Sequence, residues 1–132
     1  MVRGFGGKKT LSFVTTKSVN KKSKLPDDIK LGGEINGTSL RGYLTVSYAE
    51  LVNLLGRPNM AGDRYKIDAQ WAITVSGRAL SIYNYKDGKN YLGSKGLPTK
   101  SITDWHIGGD GDIEDCLAYL SSLLPGSSYQ IA

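Results

Sequence analysis

This sequence is short of the residues on which several familiar protein classes depend, and each shortage closes off a possibility. It contains one cysteine, Cys116, which excludes an internal disulfide and fits a reducing compartment. It contains one histidine, His106, which excludes a metal site built on a pair of histidines. No stretch approaches the roughly 18 consecutive apolar residues of a membrane-spanning helix. The N-terminus carries Arg3, Lys8 and Lys9, but the apolar stretch Leu11–Val14 is far too short for the core of a signal peptide. No G-x-x-x-x-G-K-[ST] segment occurs, and the Gly4, Gly6, Gly7 cluster does not follow a strand as a dinucleotide-binding turn would. A cytoplasmic protein is the resulting expectation.

What the chain does have is an uneven charge. Its 132 residues carry a net +5. Residues 1–30 hold eight Lys and Arg against two Asp, whereas residues 31–132 hold nine against ten Asp and Glu. The basicity therefore belongs to the N-terminal region, chiefly Lys8, Lys9, Lys17, Lys21, Lys22 and Lys24. Such an arm suits phosphates, RNA or an acidic partner surface, and it also serves simply to keep a protein in solution. Residues 1–40 read as this basic, partly flexible arm and residues 41–132 as a single domain.

Within the arm, Thr10–Val19 is β-prone, and Lys21–Thr38 reads as loop around Pro26, Gly32, Gly33 and Gly37. A short β-prone run follows at Tyr43–Val46. Ser47-Tyr48-Ala49-Glu50 has the spacing of a capping box. It predicts a helix over Tyr48–Leu55 with a leucine stripe, stopped by Gly56 and Pro58. Lys66–Val75 alternates as a strand with Ile67, Ala69, Trp71, Ile73 and Val75 on one face. Ser76-Gly77 predicts a tight hairpin into a strand over Ala79–Tyr85. After a Gly- and Lys-rich loop, Ile102–Ile107 predicts another strand, with Trp105 and Ile107 opposite Asp104 and His106. Asp112 is the expected N-cap of a last helix, whose stripe is Ile113, Cys116, Leu117, Leu120 and Leu124. Pro125-Gly126 ends that helix and leaves a short tail. The fold class expected is α+β: a three- to four-stranded antiparallel sheet with two helices on one face, in the order β-α-β-β-β-α.

Catalytic candidates are few. His106 beside Trp105 reads first as a structural, hydrogen-bonding histidine, although Asp104 on the same face would be placed to orient it as a base. Asp110 and Asp112 lack the further ligands of a calcium loop, and helix capping explains them. Cys116 lies on an apolar stripe and reads as a small buried hydrophobe. No catalytic residue, metal site or cofactor is assigned, and an enzyme is the less favoured class. The distinctive feature is the set on the wet sheet face: Tyr83 and Tyr85, Asp68 and Gln70, Asp104 and His106, with Lys86, Lys89 and Tyr91 at the loop edge. Aromatic rings on an open sheet are what base stacking or a protein hot spot uses. The plainer alternative is that the Gly-rich loop or the arm covers them as a second small core.

Taken together, Tyr65-Lys66-Ile67-Asp68-Ala69-Gln70-Trp71, Ile82-Tyr83-Asn84-Tyr85-Lys86 and Trp105-His106-Ile107-Gly108-Gly109 resemble segments of a group of small bacteriophage- and virus-encoded proteins. The similarity spans about residues 44–124 and leaves the arm outside. It implies an accessory gene product that acts by binding. Such a protein would inhibit a host defence system such as a CRISPR nuclease, hold RNA or DNA, or sequester a nucleotide. The partner implied is a host protein or ribonucleoprotein complex, or alternatively nucleic acid or a nucleotide, with no membrane. The resemblance carries over no catalytic residues.

Overall fold

The computed structural model describes residues 25–132, so the strand expected at Thr10–Val19 and the arm lysines Lys8, Lys9, Lys17, Lys21, Lys22 and Lys24 lie outside the described residues. The body is α+β. Six strands, β1 (Ile29–Leu31), β2 (Ser39–Thr45), β3 (Gln70–Val75), β4 (Arg78–Tyr83), β5 (Asp104–Gly109) and β6 (Ser128–Ile131), form one antiparallel sheet in the spatial order β1-β3-β4-β5-β2-β6. Three helices accompany it: α1 (Tyr48–Leu55), the single turn α2 (Lys89–Leu92) and α3 (Glu114–Ser122).

The expected three- to four-stranded sheet is therefore corrected to six strands. Both additional strands are edges. β1 is three residues long with Lys30 at its centre, too short to show a period of two, and it lies inside the 1–40 stretch assigned to the arm. Its Ile29 is nevertheless buried in the core. β6 arises from the expected tail: Gly126, in the left-handed region at φ 76°, turns the chain back so that Ser128–Ile131 pairs with β2. α2 also replaces part of the expected loop.

Local chemistry accounts for the remaining boundaries. The Ser47 side chain accepts the Glu50 N–H at 3.1 Å, so α1 starts where its cap requires, and Gly56 stops it at φ 83°. β3 begins at Gln70 rather than Lys66 because side chains capture the preceding N–H groups. Asp63 Oδ1 accepts from Tyr65, Lys66 and Ile67, and Asn84 Oδ1 accepts from Asp68 and Ala69. The β3–β4 turn places Ser76 and Gly77 at φ 50° and 82°, a primed two-residue hairpin matched to strand twist. Asp112 is not the N-cap of α3; Ile113 holds that position, and Asp112 accepts the Glu114 N–H at 3.0 Å from one residue further out.

One face of the sheet carries the core. Leu51 and Leu55 of α1 and Cys116, Leu117 and Leu120 of α3 pack with Leu44, Trp71, Ile73, Leu80, Ile82, Trp105 and Ile107. Trp71 and Trp105 meet edge to face at 5.5 Å between ring centroids, with Tyr48 against both. Each indole N–H is satisfied at 2.9 Å, Trp71 by the Gly56 carbonyl and Trp105 by the Val46 carbonyl.

The two sheet edges are finished differently. Beyond the short β1, the Asn59 amide donates to the Ala72 carbonyl at 2.9 Å and accepts the Ala72 N–H at 2.8 Å, and the Met60 N–H donates to the Gln70 carbonyl. A side-chain amide thus stands in for a strand and closes β3. Among the described residues nothing pairs with the outer side of β6.

Candidate functional site: the aromatic sheet face

Strand register builds the site. Gln70 lies opposite Tyr83, Tyr83 opposite His106, His106 opposite Tyr43, and Tyr43 opposite Gln130. Directly opposed residues project to the same side, so these five form a row across β3, β4, β5, β2 and β6 on the face away from the helices. His106 sits at its centre. The ring centroids of Tyr43, Tyr83 and Tyr85 lie 5.2, 5.5 and 5.3 Å from the imidazole. Tyr43 and Tyr85 are 38 % and 39 % exposed, while Tyr83 is more deeply set between them.

A cationic end continues the row. Lys86 Nζ stands 5.3 Å from the ring centroids of both Tyr85 and Tyr91; Tyr91 packs at 5.4 Å on Tyr65, with Lys66 Nζ over the Tyr65 ring. The support beneath is a polar knot. Asn84 is wholly buried, and its amide donates to Asp68 and Asp87 at 2.9 and 3.0 Å while its oxygen holds the Asp68 and Ala69 N–H groups. Asp68 Oδ2 accepts the Asn90 N–H at 3.1 Å. A Cβ at Gly88 would collide with the Asp68 carboxylate, and one at Gly96 with the Gly88 carbonyl, so only glycine permits the loop to close this tightly. Lys86 itself adopts φ 64°, which aims its side chain back over the tyrosines.

Of the expected site residues, the structure brings together Tyr83, Tyr85, His106, Lys86 and Tyr91, and places Gln70 at the end of the row. Asp68 faces inward and organises the loop. Asp104 is exposed opposite Thr45, and Lys89 is exposed on α2. Sequence reasoning missed Tyr43, Tyr65 and Lys66. Tyr43 was visible as an alternate residue of a β-prone run, but its place beside His106 depends on β2 pairing with β5 far along the chain.

Partial burial lowers the His106 pKa below its ordinary 6.5, against the pull of Asp87, which favours the uncharged ring. Partial burial raises the Tyr83 phenol, with the Tyr85 and Tyr43 phenols adding to it. Among the described residues no group, Asp104 included, hydrogen-bonds the His106 ring, and the rings of Tyr43, Tyr83 and Tyr85 pack around it. Of the two covers expected, the loop adjoins the face at one end, where Lys86 and Tyr91 meet Tyr85, and the arm lies outside the described residues.

Among the described residues no three His, Cys, Asp or Glu side chains gather as metal ligands, and no helix is long and apolar enough to cross a membrane. Cys116 is buried, and burial raises its thiol pKa although Arg78 opposes this. No family model, curated protein or solved structure matches the chain.

Proposed function

We propose that this protein works by binding, as a phage-type accessory protein acting in the host cytoplasm, and that the aromatic sheet face is its recognition surface. The chemistry of the face suits unstacked bases of single-stranded nucleic acid, free or exposed within a ribonucleoprotein defence complex such as a CRISPR nuclease. One observation carries this reading: the rings of Tyr43, Tyr83 and Tyr85 surround the His106 imidazole, and Lys86 spans the rings of Tyr85 and Tyr91 at the edge. Rings accept bases whatever their identity, and Lys86 and Lys66 supply charge where a backbone phosphate would pass. The seven Lys and Arg of residues 1–24 add a long-range attraction that the body, with ten Lys and Arg against twelve Asp and Glu, does not supply.

The test is fluorescence anisotropy of a labelled single-stranded RNA dodecamer over a salt series. Binding should weaken steeply with salt, and Tyr85→Ala should cost about tenfold, within the ~1–3 kcal/mol of one stacked base. Absence of binding at low salt, or full affinity in Tyr85→Ala, rejects the nucleic-acid reading.

A second reading, inhibition by docking on a host protein, is favoured by the lack of charge along Gln70, Tyr83, His106, Tyr43 and Gln130, which resembles a protein hot spot. Capture from host lysate separates the two: a discrete host protein retained after nuclease treatment and lost in Tyr85→Ala supports it.

A further inference from the structure

The outer edge of β6 has a geometry that fits a second copy of itself. The Ala132 N–H donates to the Arg41 carbonyl at 3.0 Å, and β2 and β6 keep one register from Gly42↔Ile131 to Thr45↔Ser128. In an antiparallel ladder the hydrogen-bonded pairs alternate. Ser128, Gln130 and Ala132 therefore bond inward to β2, and Tyr129 and Ile131 turn their N–H and C=O groups outward. The Val46 N–H bond to the Thr103 carbonyl, on the β5 side of β2, confirms the alternation independently.

Among the described residues nothing on this edge discourages strand addition. Residues 126–132 contain no charged residue and no proline, the two usual defences of an exposed edge. Tyr129 and Ile131 are 39 % and 40 % exposed. The opposite edge carries Lys30 and is sealed by Asn59.

We propose that two copies pair β6 with β6 antiparallel about a two-fold axis through Gln130, joining the sheets into one of twelve strands. In that register Tyr129 of each copy bonds Ile131 of the other through both backbone groups, and the two side chains meet on the helix side of the sheet. An aromatic–aliphatic cross-strand pair forms twice, and no like charges face each other. On the other side Gln130 meets its own copy, so the aromatic rows run toward each other. The Tyr43 side chains of the two copies are then three strand spacings apart, about 14 Å. The pairing does not depend on what the aromatic face binds.

Sedimentation velocity of the full chain from about 1 to 200 µM tests it, because so small an interface gives a weak, concentration-dependent dimer. The mass should rise from 14.3 kDa toward twice that value. Ile131→Lys should weaken dimerisation at least tenfold while leaving the thermal melt of the monomer unchanged. Gln130→Cys occupies a non-hydrogen-bonded pair, where Cα atoms approach to about 4.5 Å, and should cross-link under mild oxidation. Ser128→Cys, displaced from the axis, should not. A monomer at every concentration, a dimer indifferent to Ile131→Lys, or cross-linking through Ser128→Cys rather than Gln130→Cys overturns the proposal.

Discussion

The two faces of this sheet each carry an aromatic cluster, and the clusters are built to opposite rules. On the helix side Trp71 and Trp105 meet edge to face, Tyr48 lies tilted on one and stacked on the other, and each indole N–H has a backbone carbonyl. On the open side Tyr43, Tyr83, Tyr85 and His106 are equally close to one another, yet among the described residues no hydrogen bond reaches the imidazole or the phenols of Tyr43, Tyr83 and Tyr85. A buried polar group must find a partner to avoid a penalty of about 1–3 kcal/mol, whereas an exposed one can leave its capacity for a ligand. Ring content alone therefore does not separate a stabilising cluster from a recognising one; the state of the polar atoms does.

Four substitutions press on that contrast. Trp105→Ala empties the centre of the buried cluster and should cost about 3–5 kcal/mol, read as a lowered urea midpoint. Asn84→Ala strikes the knot between the faces; it strands the Asp68 and Ala69 N–H groups and should cost about 2–3 kcal/mol. Because Tyr85 and Lys86 follow directly, ligand affinity should fall as well, and a variant destabilised with intact binding would show that the knot does not position the face. Tyr85→Ala should shift stability by less than about 1 kcal/mol while removing most binding; a core-like loss on urea unfolding would reclassify the open cluster as a second core.

The smallest effect is the pH dependence of His106. Its folded pKa lies below the ordinary 6.5, so its contribution is complete above pH 6.5 and is lost as pH falls through the folded value. Thermal melts of wild type and His106→Gln should therefore converge as pH is lowered from 7 to 5. A constant difference across that range would place the histidine's role outside titration.

Local signals carried much of this architecture in readable form. The capping box over Ser47–Glu50, the Ser76-Gly77 hairpin and the apolar stripe of α3 each depend on residues within one turn or one strand of each other. So does the alternation that puts His106 opposite Trp105. The structure differs where a segment's state is decided from a distance. Ile29–Leu31 is a strand because β3 has an open side, not because three residues declare it. Lys66–Ala69 alternates like a strand, but Asp63 and Asn84 take its N–H groups first. The candidate site follows the same division. Tyr83, Tyr85, His106, Lys86 and Tyr91 were legible as an exposed set, whereas Tyr43 and the structural duty of Asp68 become visible only once β2 lies against β5 and Gly88 against Asp68.

The strand order also sets a timetable. β2 ends at Thr45, yet both of its neighbours come late: Arg41 bonds to Gly109, 68 residues on, and β6 follows α3. The hairpin β3–β4 can form as soon as it is made, but β2 has no partner until the last quarter of the chain exists. Loop closure over such distances is slow, so the rate of folding should be governed by the arrival of β5 at β2. A chain still being synthesised would hold Tyr43 and Leu44 apart from His106 and Trp105 until β5 emerges, so the aromatic face would come into being well after the β3–β4 hairpin.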